Sequence, residues 1–202
     1  MPADATSIAA VGTTDVTVSD DVLGFLGLTD EDDTNNIIPS PIGGATNDGA
    51  TFSFSITGGT FDPLLIDHSG GVAFEFGTEL DEDYRFLQAE NFLIDGTTAS
   101  VSADVSGSIF DGVALDVPIF DLDLESLVLG ETITVDLLIN EILSGALVAT
   151  FLTDDTPPGA LAGVTFGSAS TSPTPVPLPA SALLLLAGLG ALSSVRRLKS
   201  QN

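Results

Sequence analysis

The chain has 202 residues, with 29 acidic side chains against four Lys and Arg and one His, for a formal charge of −25. Three of the four cations, Arg196, Arg197 and Lys199, stand near the C-terminal end, leaving Arg85 as the one fixed cation upstream. Such a body repels nucleic acid and anionic lipid, so neither is a partner of its surface. The absence of Cys removes disulfides, thiolate nucleophiles and cysteine zinc sites together.

Acidity does not mean disorder here, because 44% of residues are hydrophobic and they alternate with polar ones. Residues 1–49 read as an acidic N-terminal segment, partly strands and loops of the domain that follows, with a helical turn available over 20–28. From Thr51 the period is two: Phe52, Phe54 and Ile56 share one face and hydroxyls the other. Val72/Phe74/Phe76, Ala99/Val101/Ala103/Val105, Ile133/Val135/Leu137, Leu147/Ala149/Phe151 and Val164/Phe166 repeat the arrangement. Gly58-Gly59, Gly70-Gly71, Asp95-Gly96, Asp111-Gly112, Gly130, Gly145 and Pro157-Pro158-Gly159 punctuate it. Short strands wetted on one face predict an all-β fold, an antiparallel β-sandwich ectodomain over residues 50–166. A second helical turn is available over 141–144.

His68, in Ile66-Asp67-His68-Ser69-Gly70-Gly71, is the sole imidazole. Its flanking Asp and Ser do not make a triad, because triads are assembled from distant positions and no G-x-S-x-G is present. A turn histidine is the expectation. With no Cys, no second His, no Trp and one Tyr, the chain is expected not to be an enzyme. The run from Gly58-Gly59 through Asp67-His68-Ser69-Gly70-Gly71-Val72 to Asn91-Phe92-Leu93-Ile94-Asp95 and Val101-Ser102-Ala103-Asp104-Val105 resembles HtaA-type haem-binding β domains. That resemblance, over residues 58–105, implies a ligand-capture module with His68 as the ligand-contacting residue. The upstream tyrosine that such modules place on iron has no counterpart before Phe52.

Asp121-Leu122-Asp123-Leu124-Glu125 places three carboxylates on one strand face in steps of about 7 Å, with Leu122 and Leu124 inward. Like charges so close repel, and a hard cation would relieve them, so calcium on Asp121, Asp123 and Glu125 is the one cofactor the sequence suggests. No calcium-loop spacing accompanies them, so a solvated acidic face with no cofactor is the expectation, and calcium is the alternative.

Gly167-Ser-Ala-Ser-Thr-Ser-Pro-Thr-Pro175 is small, uncharged and proline-dotted, which predicts a flexible linker over 167–175. Residues 176–195 are uncharged and as a helix would span about 30 Å, the thickness of a bilayer core. The basic cluster Arg196, Arg197 and Lys199 would stay on the cytoplasmic side, leaving residues 1–175 outside. Val176-Pro177-Leu178-Pro179-Ala180, then Leu183-Leu184-Leu185-Leu186-Ala187-Gly188-Leu189-Gly190-Ala191-Leu192, then Arg196-Arg197, resembles the VPLPA variant of the PEP-CTERM sorting signals over residues 176–199. That resemblance implies one transmembrane helix, processing by an exosortase-type membrane protease or transpeptidase, and delivery through the cell envelope to the surface or extracellular matrix. Proteins so sorted enter export through a signal peptide. Met1-Pro2-Ala3-Asp4-Ala5-Thr6 has neither a basic region nor an apolar run, so a leader is expected upstream of Met1. The function expected from the address is an adhesion or biofilm-type structural role with an exopolysaccharide or matrix partner. The alternative is a surface ligand-capture β module, haem-related or calcium-binding.

Overall fold

The computed structural model describes residues 11–25, 38–61, 63–77, 82, 84–152 and 155–174. In chain order these form β1 (Val11–Val18), α1 (Asp20–Phe25), β2 (Ile38–Ile42), β3 (Thr46–Asp48), β4 (Thr51–Phe61), β5 (Leu64–Ser69) and β6 (Gly71–Phe76). There follow β7 (Arg85–Asp95), β8 (Ser100–Gly107), β9 (Ala114–Val128), β10 (Ile133–Ile139), α2 (Glu141–Phe151) and β11 (Thr165–Thr174). The alternation read from the sequence holds strictly where it is cleanest. Val101, Ala103 and Val105 of β8 are buried, as are Ile133, Val135, Leu137 and Ile139 of β10, with their neighbours half-exposed.

All pairings are antiparallel, but the strands close on themselves instead of forming the expected sandwich. The order β7-β5-β4-β1-β11-β10-β9-β8 returns to β7 through a β7–β8 ladder, giving a barrel of eight strands. Closure depends on the length of β7. One of its edges bonds β8, while the other takes β6 along Arg85–Glu90 and β5 along Leu93–Asp95. β5 and β6 thus run as one bent strand, broken at Gly70, whose φ of 88° a side chain would resist. Opposite the break, Asn91 (φ 56°) donates its amide to the Gly70 carbonyl at 3.0 Å, and the β7–β8 register shifts there. Such a bulge bends the strand and increases its twist, the deformation a closing sheet requires. β2 extends the sheet beyond β6, and β3 pairs β4.

Two further expectations are corrected. The segment read as a linker at 167–175 is a barrel strand up to Thr174: β11 lies between β1 and β10, with Ala169 and Thr171 buried. Its small side chains are a packing requirement, since a Cβ on Gly167 would lie 2.1 Å from the Thr17 carbonyl oxygen across the β1 ladder. The domain therefore begins at least as early as Val11 and runs past residue 166. Residues 147, 149 and 151, read as a strand, lie in α2. Asn140 caps that helix by accepting from the Leu143 amide at 2.9 Å, and Leu143, Ala146, Leu147 and Thr150 are buried at helical spacing. The helical turn expected after Asp20 is present as α1.

The two ends of the barrel differ. α1 follows Val18 and α2 follows Ile139, so both helices lie at one end, where Val22, Leu143, Leu147 and Leu161 join the core. The opposite end carries the turns β4–β5, β7–β8 and β9–β10. Among the described residues no helix is long and apolar enough to cross a membrane. The predicted transmembrane segment 176–195, the motif Val176, Pro177, Leu178, Pro179 and Ala180, and the basic cluster Arg196, Arg197 and Lys199 lie outside the described residues.

Candidate functional site

The end opposite α1 and α2 opens into a pocket of about 810 Å³. Leu64 and Ile66 of β5 and Ile94 of β7 line one side, and Leu122 of β9 with Ile133 and Val135 of β10 line the other. Leu124 and Leu129 stand at its rim, 54% and 70% exposed, a cost in water that a bound apolar partner would remove. Among the described residues, only two lining side chains are polar, Glu131 and Thr171. The volume falls within the range of small-molecule sites, and the mouth of a β-barrel is a common place for them.

The floor of this mouth is polar. Thr171 of β11 and Thr14 of β1 are direct cross-strand partners, and their hydroxyls lie 2.9 Å apart. Thr14 Oγ1 is also 2.6 Å from Nε2 of His68, and the other ring nitrogen, Nδ1, is 3.2 Å from the Phe92 carbonyl. All three side chains are buried: Thr14 is 2%, His68 5% and Thr171 3% exposed. Below them lies a second, small cavity of about 50 Å³, lined by His68 and Thr14 together with Phe54, Phe74, Phe92 and other apolar groups. The three residues thus make a hydrogen-bonded belt between an apolar mouth and an apolar interior. Removal from water pushes the His68 pKa below its ordinary 6.5, against weaker raising influences from the Phe92 carbonyl, Asp67 and the Ile66 backbone. His68 is accordingly a neutral strand residue facing inward, not the turn histidine read from its glycine-rich neighbours.

The acidic run of β9 behaves differently from expectation. Leu122 points inward, but Leu124 is exposed, because the β9–β10 register shifts between Asp123 and Val128. Asp123 Oδ1 accepts from the Glu125 amide at 3.0 Å, and the Asp123 carbonyl accepts from Ser126 Oγ at 2.8 Å, so the strand folds back on its own carboxylate. Asp121, Asp123 and Glu125 are not brought together. Among the described residues no group of three His, Cys, Asp or Glu side chains could hold a metal ion.

The remaining candidates for contact with a ligand lie elsewhere. Tyr84 precedes β7 at the helix end, about 30 Å along that strand from Ile94 at the mouth. It donates to Glu75 at 2.9 Å and stacks on Phe86. Arg85 sits over the Phe76 ring at 4.8 Å and donates to the Thr150 carbonyl, fastening α2 to the barrel. Sequence reasoning missed Thr14, Thr171 and the mouth. Thr14 was findable, since Thr14, Val16 and Val18 alternate, whereas Thr171 was concealed in a run of small polar residues.

No protein-family profile matches the chain, and no curated protein matches it in sequence. Solved structures do match in fold. The haem-binding protein HtaB from Corynebacterium glutamicum is similar at a TM-score of 0.56 and 13% identity, over 83% of this chain and 94% of that one. The C-terminal domain of HtaA from the same organism gives 0.52 at 14% identity, over 83% and 98%. Its N-terminal domain gives 0.54 at 12%, over 82% and 98%. At these identities the likeness is one of fold, and it extends the resemblance read at residues 58–105 to most of the barrel.

Proposed function

We propose that this chain is a ligand-capture β-barrel module that takes an apolar molecule, of up to haem size, into the mouth opposite its helices. The observation that carries the reading is the 810 Å³ apolar pocket rimmed by exposed leucines. Burial of apolar ligand surface against such walls is the driving force, at about 25 cal/mol per Å² removed from water before the costs of association. The fold shared with HtaB favours capture over the adhesive role first expected from the tail.

Haem is the ligand that likeness brings forward. The mouth fits a macrocycle in size and apolarity, but the donor set does not fit its iron. Both ring nitrogens of His68 are engaged, Tyr84 is at the far end, and among the described residues the one ionisable group of the lining is an acid, Glu131. No step through iron is therefore assigned to His68. Delivery would follow from the tail: residues 176–199 would carry the barrel to the envelope as an exosortase substrate, with the mouth outside the cytoplasmic membrane.

The capture reading is tested by titrating the full chain with Nile red. A single saturable site is expected, weakened in Leu124→Asp and Leu129→Asp, which alter only exposed rim residues. Binding indifferent to both changes would remove the mouth as the site. A stoichiometric Soret shift with haemin that vanishes in His68→Ala would replace contact capture by iron ligation.

A further inference from the structure

The hydrogen bonds under the mouth have a fixed direction. A carbonyl oxygen only accepts, so the His68 Nδ1 facing the Phe92 carbonyl carries the ring proton, and Nε2 of the neutral ring is a lone pair. Thr14 Oγ1 therefore gives its single hydrogen to Nε2, and must accept at its own oxygen from Thr171. The reverse order would leave Nε2 buried without a donor, a desolvation that nothing offsets. Thr171, the one hydroxyl among the described residues of the mouth lining, has thus already spent its hydrogen. Toward the mouth it has lone pairs alone.

We propose that the mouth selects an apolar ligand bearing a hydrogen-bond donor, a hydroxyl or an N–H, and that Thr171 Oγ1 is the acceptor that reads it. This specificity rests on the mouth being a capture site. Glu131, the other polar side chain of the lining, is also an acceptor and repels anions. Both polar groups therefore ask for the same thing, a neutral or cationic ligand that donates. A fatty acid, a phospholipid phosphate or haem with its two carboxylates is of the wrong class. An aromatic or polycyclic alcohol or amine is of the right one. A buried polar group left facing a partner that cannot answer it discriminates more strongly than apolar contact does.

The test uses two fluorescent probes of nearly equal shape, 1-hydroxypyrene, which donates, and 1-methoxypyrene, which only accepts, each titrated into the full chain. The hydroxyl probe is expected to bind about three- to tenfold more tightly, the worth of one neutral hydrogen bond. Thr171→Val should abolish the preference while leaving the methoxy probe unchanged. Thr14→Val is the independent check: it releases the Thr171 hydrogen toward the mouth, so the methoxy probe should gain affinity and the preference should shrink. Circular dichroism confirms that each variant folds. Equal affinity of the two probes for the native chain, or a preference surviving Thr171→Val, overturns the assignment of Thr171 and leaves mouth capture standing. Failure of both probes to bind overturns both readings.

Discussion

Acidification from pH 7.5 to 5.5 crosses the ordinary protonation range of histidine, near 6.5. His68 is 5% exposed, and burial holds its folded pKa below that value. Below pH 6.5 the unfolded chain therefore binds a proton that the folded chain does not, and stability falls as the pH falls. The contribution is fully present above the unfolded value, is lost below it, and stops changing once the folded ring itself protonates. One unit below 6.5 the loss has a ceiling of about 1.4 kcal/mol, because each pH unit of unmatched proton uptake is worth 1.36 kcal/mol. Any other group that titrates in this window does so alike in the native chain and in a His68 variant. The assay must therefore be differential: urea midpoints of the native chain and of His68→Gln at pH 7.5, 6.5 and 5.5. The native chain should lose stability relative to the variant between the first and last points, by no more than the ceiling of about 1.4 kcal/mol. A difference between the two proteins that stays constant across the three pH values would refute the claim that burial holds the ring neutral.

Gly167→Ala should destabilise the barrel by about 1–3 kcal/mol in urea, since its Cβ would collide with the Thr17 carbonyl, whereas a linker residue would tolerate it unchanged. Millimolar calcium should raise the melting temperature no more than sodium chloride at matched ionic strength, with Asp123→Asn behaving like the native chain. A large calcium-specific gain lost in that variant would restore a site on Asp121, Asp123 and Glu125. Replacing Pro177 and Pro179 by alanine should leave the chain membrane-bound with its tail uncut. Native protein released from cells with Asn202 still attached, read by intact mass, would contradict processing at the motif.

The strands with clean alternation, β4, β8 and β10, were legible because period two with one buried face leaves little choice. Closure was not. A sandwich and a barrel bury the same faces, and the difference lies in the long β7 and its bulge at Asn91, which hydrophobic pattern does not record. β11 was misread because its composition, small and hydroxylic, is that of a spacer. Only its neighbours reveal that Ala169 and Thr171 face a core and that Gly167 must have no side chain. α2 carried a legible signal that was overlooked: Asn140 before Leu143, Ala146, Leu147 and Thr150 is a cap followed by a helical stripe, and the shorter alternation of Leu147, Ala149 and Phe151 competed with it. For the site, His68 was singled out correctly as unusual but placed on a turn, because glycines follow it. Its partner Thr14 lies 54 positions away, and its partner's partner Thr171 lies 157 beyond that, separations that only topology brings together.

Val11 and Thr174 are paired residues at the end of the β1–β11 ladder, on the same rim as the mouth. The described barrel therefore begins and ends beside the opening. A fusion partner, resin or surface attached directly at Val11 or Thr174 would stand next to the entrance, and protein immobilised there would present its closed end to the bulk. A circular permutant joined across that rim and reopened at Asp111-Gly112, in the exposed turn between β8 and β9, would invert the presentation while preserving every barrel strand. Capture measured on a surface with the two forms would then differ in access, and capture in free solution would not.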